Sequence, residues 1–110
     1  MVYNIDMKKE VFLKLFYIEE SIVKSIKVIN DDLIIELITS VNSFAMGNNI
    51  RENEFNDCEN IYIFKNIKNT EIDKFLKVKN IYHTSTVDNL ICFDTNIGFL
   101  YFDFDEVIIK

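Results

Sequence analysis

Apolar and polar positions alternate with a period of two along much of this chain. Ile26 and Val28 flank Lys27, and beyond Asn30-Asp31-Asp32 the residues Leu33, Ile35 and Leu37 share one face of an extended segment. Two such runs around an Asn-Asp-Asp turn predict a β-hairpin over 24–39. Ile61 to Ile67 predicts a further strand. The final third gives the longest strand pattern, Val87 to Thr95 and Phe99 to Ile109, joined through Asn96-Ile97-Gly98, where glycine accepts a left-handed backbone at low cost. If Thr95 pairs with Phe99, then Leu90, Cys92, Leu100, Phe102 and Phe104 form the core face. Ile91, Phe93, Phe99, Tyr101, Asp103 and Asp105 then look the other way.

Two segments break this period. Thr70-Glu71-Ile72-Asp73 offers a hydroxyl N-cap with a carboxylate three residues on, and Ile72, Phe75 and Leu76 fall on one helical face. A short helix is predicted from Thr70 to Lys79, with Lys74, Lys77 and Lys79 mostly toward its C-terminal end, where cations suit the dipole. Near the N-terminus Met7, Val11, Leu15 and Ile18 fit a helix, whereas Val11, Leu13, Leu15 and Tyr17 alternate as a strand. The β-branched and aromatic content favours a strand from Val11 to Tyr17. Asn42 to Asn60 is polar, with Gly47 and the carboxylates Glu52, Glu54, Asp57 and Glu59, and reads as a long loop of the kind that carries function or moves. The expected architecture is one α+β domain over 1–110, an antiparallel sheet of about five to six strands with the one short helix packed on it.

Composition narrows the class. Half the chain is apolar, enough for a core, and 110 residues suit a single one. The abundance of Ile, Asn, Lys, Phe and Tyr, with no proline and Arg51 as the sole arginine, reads as AT-rich bacterial codon usage and carries no functional meaning. A net charge of −6 with scattered lysines disfavours nucleic acid and anionic membrane surfaces. Without a basic n-region and apolar h-region at its start, or any spanning apolar stretch, the chain is expected in the cytoplasm. Cys58 and Cys92 lack CxxC spacing and are expected as buried free thiols, Cys92 above all because it lies in an apolar strand pattern.

The acidic charge is unevenly placed. Between Thr86 and Ile109 there are five carboxylates, Asp88, Asp94, Asp103, Asp105 and Glu106, and neither lysine nor arginine, interleaved with aromatic residues. A surface mixing acid and aromatic side chains suits a basic protein partner, and the candidate contact residues are Asp94, Phe99, Tyr101, Asp103 and Asp105. If Phe99 and Tyr101 are core instead, the candidates become Glu52, Glu54, Asp57 and Glu59. The same carboxylates could gather a divalent ion and support a small metal-dependent enzyme, although their spacing does not match an EF-hand loop. His83 beside Thr84, Ser85 and Thr86 invites a nucleophile and base, but no Gly-rich elbow accompanies the serine, and a structural or solvated histidine is expected. No catalytic residue, metal ligand or cofactor is assigned.

Three stretches, SIVKSIKVINDDLIIEL (Ser21 to Leu37), FNDCENIYIF (Phe55 to Phe64) and IGFLYFDFDEVIIK (Ile97 to Lys110), together resemble in rhythm the small bacterial immunity proteins of polymorphic or contact-dependent toxin systems. The resemblance implies a compact, acidic, cytoplasmic inhibitor that occludes a cognate toxin by stoichiometric binding. No motif carries a residue role across. An accessory subunit of a larger assembly is the remaining alternative.

Overall fold

In a computed structural model, the structure describes residues 5–15, 18, 20–39, 58–68 and 71–110. The hairpin at Asn30 forms: β2 (Ser21–Ile29) and β3 (Asp32–Thr39) pair from Ile29↔Asp32, with Asn30 left-handed at φ 56°. β3 alternates as expected, burying Leu33, Ile35 and Leu37. β4 (Cys58–Lys65) adds to it and sends Tyr62 and Phe64 to the same side. The 40–57 part of the expected loop lies outside the described residues.

Among the described residues the strands number eight and the helices two, against the five to six strands and single helix expected from the sequence. β1 (Ile5–Lys8) and α1 (Lys9–Leu15) replace the expected N-terminal strand. Packing decides that ambiguity for the helix: Phe12 is fully buried, its ring edge-on to Phe64 at 5.7 Å and to Phe104 at 5.9 Å. β5 (Asn80–Val87) is a strand absent from the sequence-based expectation. The helix expected at 70–79 shrinks to α2 (Ile72–Phe75), with Glu71 at its N-cap and no side-chain cap bond; Thr70 lies outside the described residues. Of its expected apolar face, Phe75 is buried against Phe102 at 5.4 Å while Ile72 and Leu76 stay exposed.

The final third divides into β6 (Leu90–Thr95), β7 (Gly98–Phe102) and β8 (Glu106–Ile109). All pairings are antiparallel, in the order β1-β8-β4-β3-β2-β5-β6-β7. That order forces the sheet to curl. β7 ends at Phe102 and β8 begins at Glu106, four residues or at most about 14 Å later. In a flat sheet six inter-strand steps would separate them, about 29 Å. The shortest junction in the sheet is that of β2 with β5, which share only Ser21↔Ile81 and Ile22↔Asn80, and beside it lie register shifts at Val23/Ser25 and Ile81/His83, irregularities of the kind that increase local twist. An isolated bridge, Lys68↔Asp103, ties the end of β7 to the chain leaving β4. The enclosed core is an aromatic cluster centred on Phe64, with Phe102 at 5.2 Å and Phe104 at 5.0 Å.

Candidate functional site

Register across the β6–β7 hairpin decides which side chains reach the surface. Thr95 pairs with Gly98, not Phe99, over the two-residue turn Asn96-Ile97, and Gly98 takes φ 116°. The Thr95 hydroxyl fixes this turn, donating to the Gly98 carbonyl at 2.6 Å and accepting from the Ile97 N–H at 3.2 Å. One residue of slip reverses β6 relative to the expected facing. Ile91 and Phe93 point inward with Leu100 and Phe102, whereas Cys92 and Asp94 share the outer face with Tyr101 and Phe99.

That outer face extends across three strands. His83 on β5 lies opposite Asp94, which lies opposite Phe99; Ser85 lies opposite Cys92, which lies opposite Tyr101. Phe99 is 62% exposed and Tyr101 41%, the former the most exposed large apolar side chain among the described residues. Cys92 is a free thiol only 3% exposed although it belongs to the outer face. Its cross-strand neighbour Tyr101 has its phenol raised above the ordinary range, chiefly by a hydrogen bond with Cys92. Asp94 is half-buried and forms no ion pair with the described residues.

The other expected carboxylates are differently employed. Asp103 and Asp105 occupy the sharp link between β7 and β8, where the sequence pattern predicts one continuous strand. Lys9 at the start of α1 donates to Asp103 at 2.5 Å, and Asp103 also accepts from the N–H of its neighbour Phe104 at 2.9 Å. Lys68 donates to Asp105 at 2.7 Å and Asn66 Nδ2 donates to it at 2.6 Å. Asp32 at the start of β3 is bound in the same way by Lys65 at 2.8 Å. These lysine hydrogen bonds hold all three carboxyls below the usual carboxylate range, and the reciprocal bonds raise Lys65 and Lys68. The three pairs gather the start of β3, the ends of β4 and β7 and the start of α1. Asp103 and Asp105 thus act on the curl of the sheet, with their charge largely compensated.

Glu59, from the alternative set, lies on β4 within 3.4 Å of Lys24, and Glu52, Glu54 and Asp57 lie outside the described residues, as does the Cys58 side chain. Of the His83 cluster, Thr84 points inward and bonds the Ile18 backbone twice, donating at 2.8 Å and accepting at 3.0 Å. His83 and Ser85 face outward instead. Among the described residues no three His, Cys, Asp or Glu side chains converge as metal ligands, and no helix is long and apolar enough to cross a membrane. The β5 side of the face was missed although Ile81-Tyr82 and Thr84, Thr86 and Val87 carry the β-branched and aromatic signature of a strand. No family model, curated protein or solved structure matches the chain.

Proposed function

We propose that the protein is a non-enzymatic inhibitor that binds a basic protein, an immunity protein neutralising a cognate bacterial toxin, through the outer face of β5, β6 and β7. The exposed pair Phe99 and Tyr101 beside Asp94 carries this reading. Large aromatic side chains supply most of the energy of protein interfaces, and a folded chain gains nothing in stability from leaving them in water. The net charge of −6 adds attraction for a cationic surface and opposes nucleic acid. Asp94 is the carboxylate within the face, and Asp103 and Asp105 stand at its margin, where their lysine partners reduce their pull.

Co-expression with the product of the neighbouring upstream gene tests the reading. A stoichiometric complex and relief of that product's toxicity are expected, both weakened by Tyr101→Ala. The absence of any complex and of any protection rejects it.

A further inference from the structure

The backbone of β7 adds a feature that side-chain exposure does not. β7 is the last strand in the sheet order, with β6 on one side. On the other side Asp103 uses both its backbone groups on Lys68, its N–H donating to the Lys68 carbonyl at 2.9 Å and its carbonyl accepting from the Lys68 N–H at 2.9 Å. In an antiparallel strand alternate residues direct both groups the same way. Tyr101 and Phe99 therefore present their N–H and C=O along the edge that Lys68 begins to cover, and no described residue bonds to them there. The described residues that follow meet this end of the sheet again at the far hairpin, where Asn96 Oδ1 accepts from Lys79 N–H at 2.8 Å. Between these points no described residue bonds to the ladder positions of Phe99 and Tyr101, and the strand Gly98-Phe99-Leu100-Tyr101-Phe102 has neither the charge nor the proline that usually blunts an edge.

Resting on the binding function above, we propose that β7 receives an extended, cationic segment of the protein partner as an added strand, bonded to the Phe99 and Tyr101 backbone. Charge selects this occupant. A second copy would bring its own net charge of −6 against the first. A lysine or arginine on the added strand sits two strand spacings, about 10 Å, from Asp94. Its methylenes can cross the Phe99 ring while the cation reaches the carboxylate. Alternate residues of the added strand, facing the Phe99 and Tyr101 side chains, make specificity a matter of every second position.

The probe is a short peptide alternating lysine and valine, with a glutamate and valine peptide as its charge control. Saturable binding of the lysine peptide alone is expected, with slowed hydrogen exchange at the Phe99 and Tyr101 amides. Tyr101→Pro removes the edge-facing N–H while breaking no bond to β6, so it should bind the peptide about tenfold more weakly than Tyr101→Ala, the effect of one net hydrogen bond. If the proline variant does not fold, exchange in the unaltered protein decides. No saturable binding, equal binding of both peptides, unprotected amides, or a dimer joined through β7 overturns the proposal. A complex with the neighbouring gene's product in which these two amides stay unprotected keeps the inhibitor reading and removes strand addition alone.

Discussion

Phe64 and Phe99 are the same residue type on strands of similar apolar character, and the structure assigns them opposite consequences on truncation. Phe64 is wholly buried, with ring neighbours Phe104, Phe102, Phe12, Phe93 and Tyr62 at 5.0, 5.2, 5.7, 6.0 and 6.2 Å. Truncating a buried phenylalanine to alanine costs about 3 to 5 kcal/mol. Each aromatic pair adds about 0.5 to 1.5 kcal/mol beyond area burial. All five neighbouring rings would then border a void, and the surrounding sheet is too rigid to collapse into it. Phe64→Ala therefore belongs near the upper end, about 4 to 5 kcal/mol. For a chain of this length that lowers the melting midpoint by roughly 4 °C per kcal/mol, about 16 to 20 °C in all. Phe99→Ala should change stability by less than about 0.5 kcal/mol. Urea unfolding followed by circular dichroism gives both values on one scale. A Phe64→Ala loss below about 1.5 kcal/mol, or a Phe99→Ala loss above it, would refute the inward and outward assignment of β4 and β7.

Asp103→Asn should cost about 1 to 2 kcal/mol at neutral pH, because it leaves the partly buried Lys9 ammonium without its charge partner. The hydrogen bond from Lys9 lowers the folded Asp103 pKa below its unfolded value, so this contribution is present above about pH 4 and fades as pH falls through the folded value. Stability curves of the two proteins should thus converge in acid, and a gap that stays constant as the solution is acidified would contradict the assignment. Gly98→Ala meets no neighbouring atom but must adopt φ 116°, so a loss of about 1 kcal/mol is expected from thermal melts, and an unchanged midpoint would show that the hairpin turn relaxes freely. In surface-plasmon kinetics with the cognate partner, Tyr101→Ala should mainly speed dissociation. Asp94→Asn should mainly slow association and weaken its salt dependence, and the reverse partition would remove the assigned roles.

Local patterning was most informative where chain neighbours pair. Asn30 and the alternation of Leu33, Ile35 and Leu37 indicated the β2–β3 hairpin, because turn chemistry and core facing agree there. The second hairpin shows the limit. Asn96-Ile97-Gly98 indicated a turn, yet whether Thr95 pairs with Gly98 or Phe99 depends on the Thr95 hydroxyl bonds, and one residue of slip turns Phe93 inward and Cys92 to the outer face, where it stays buried. Phe99 and Tyr101 kept their common facing through that slip since both belong to β7. The break between β7 and β8 was hidden for a different reason. Phe102, Phe104 and Val107 are all buried, so apolar content continues through the link, and the charges of Asp103 and Asp105 acquire their turn-forming role only from Lys9 and Lys68, distant in sequence. α1 likewise depends on Phe104 and Phe64 receiving Phe12, a tertiary contact that periodicity over 7–18 does not contain.

The binding face is tested most directly by amide and side-chain NMR of the complex with the neighbouring gene's product, compared with the free protein. Perturbations are expected at Phe99, Tyr101, Asp94 and His83, with Phe64 on β4 and Leu37 on β3 unchanged in the core. Perturbations confined to the β1–β8 end of the sheet, with Phe99 and Tyr101 still as exposed as in the free protein, would contradict the account.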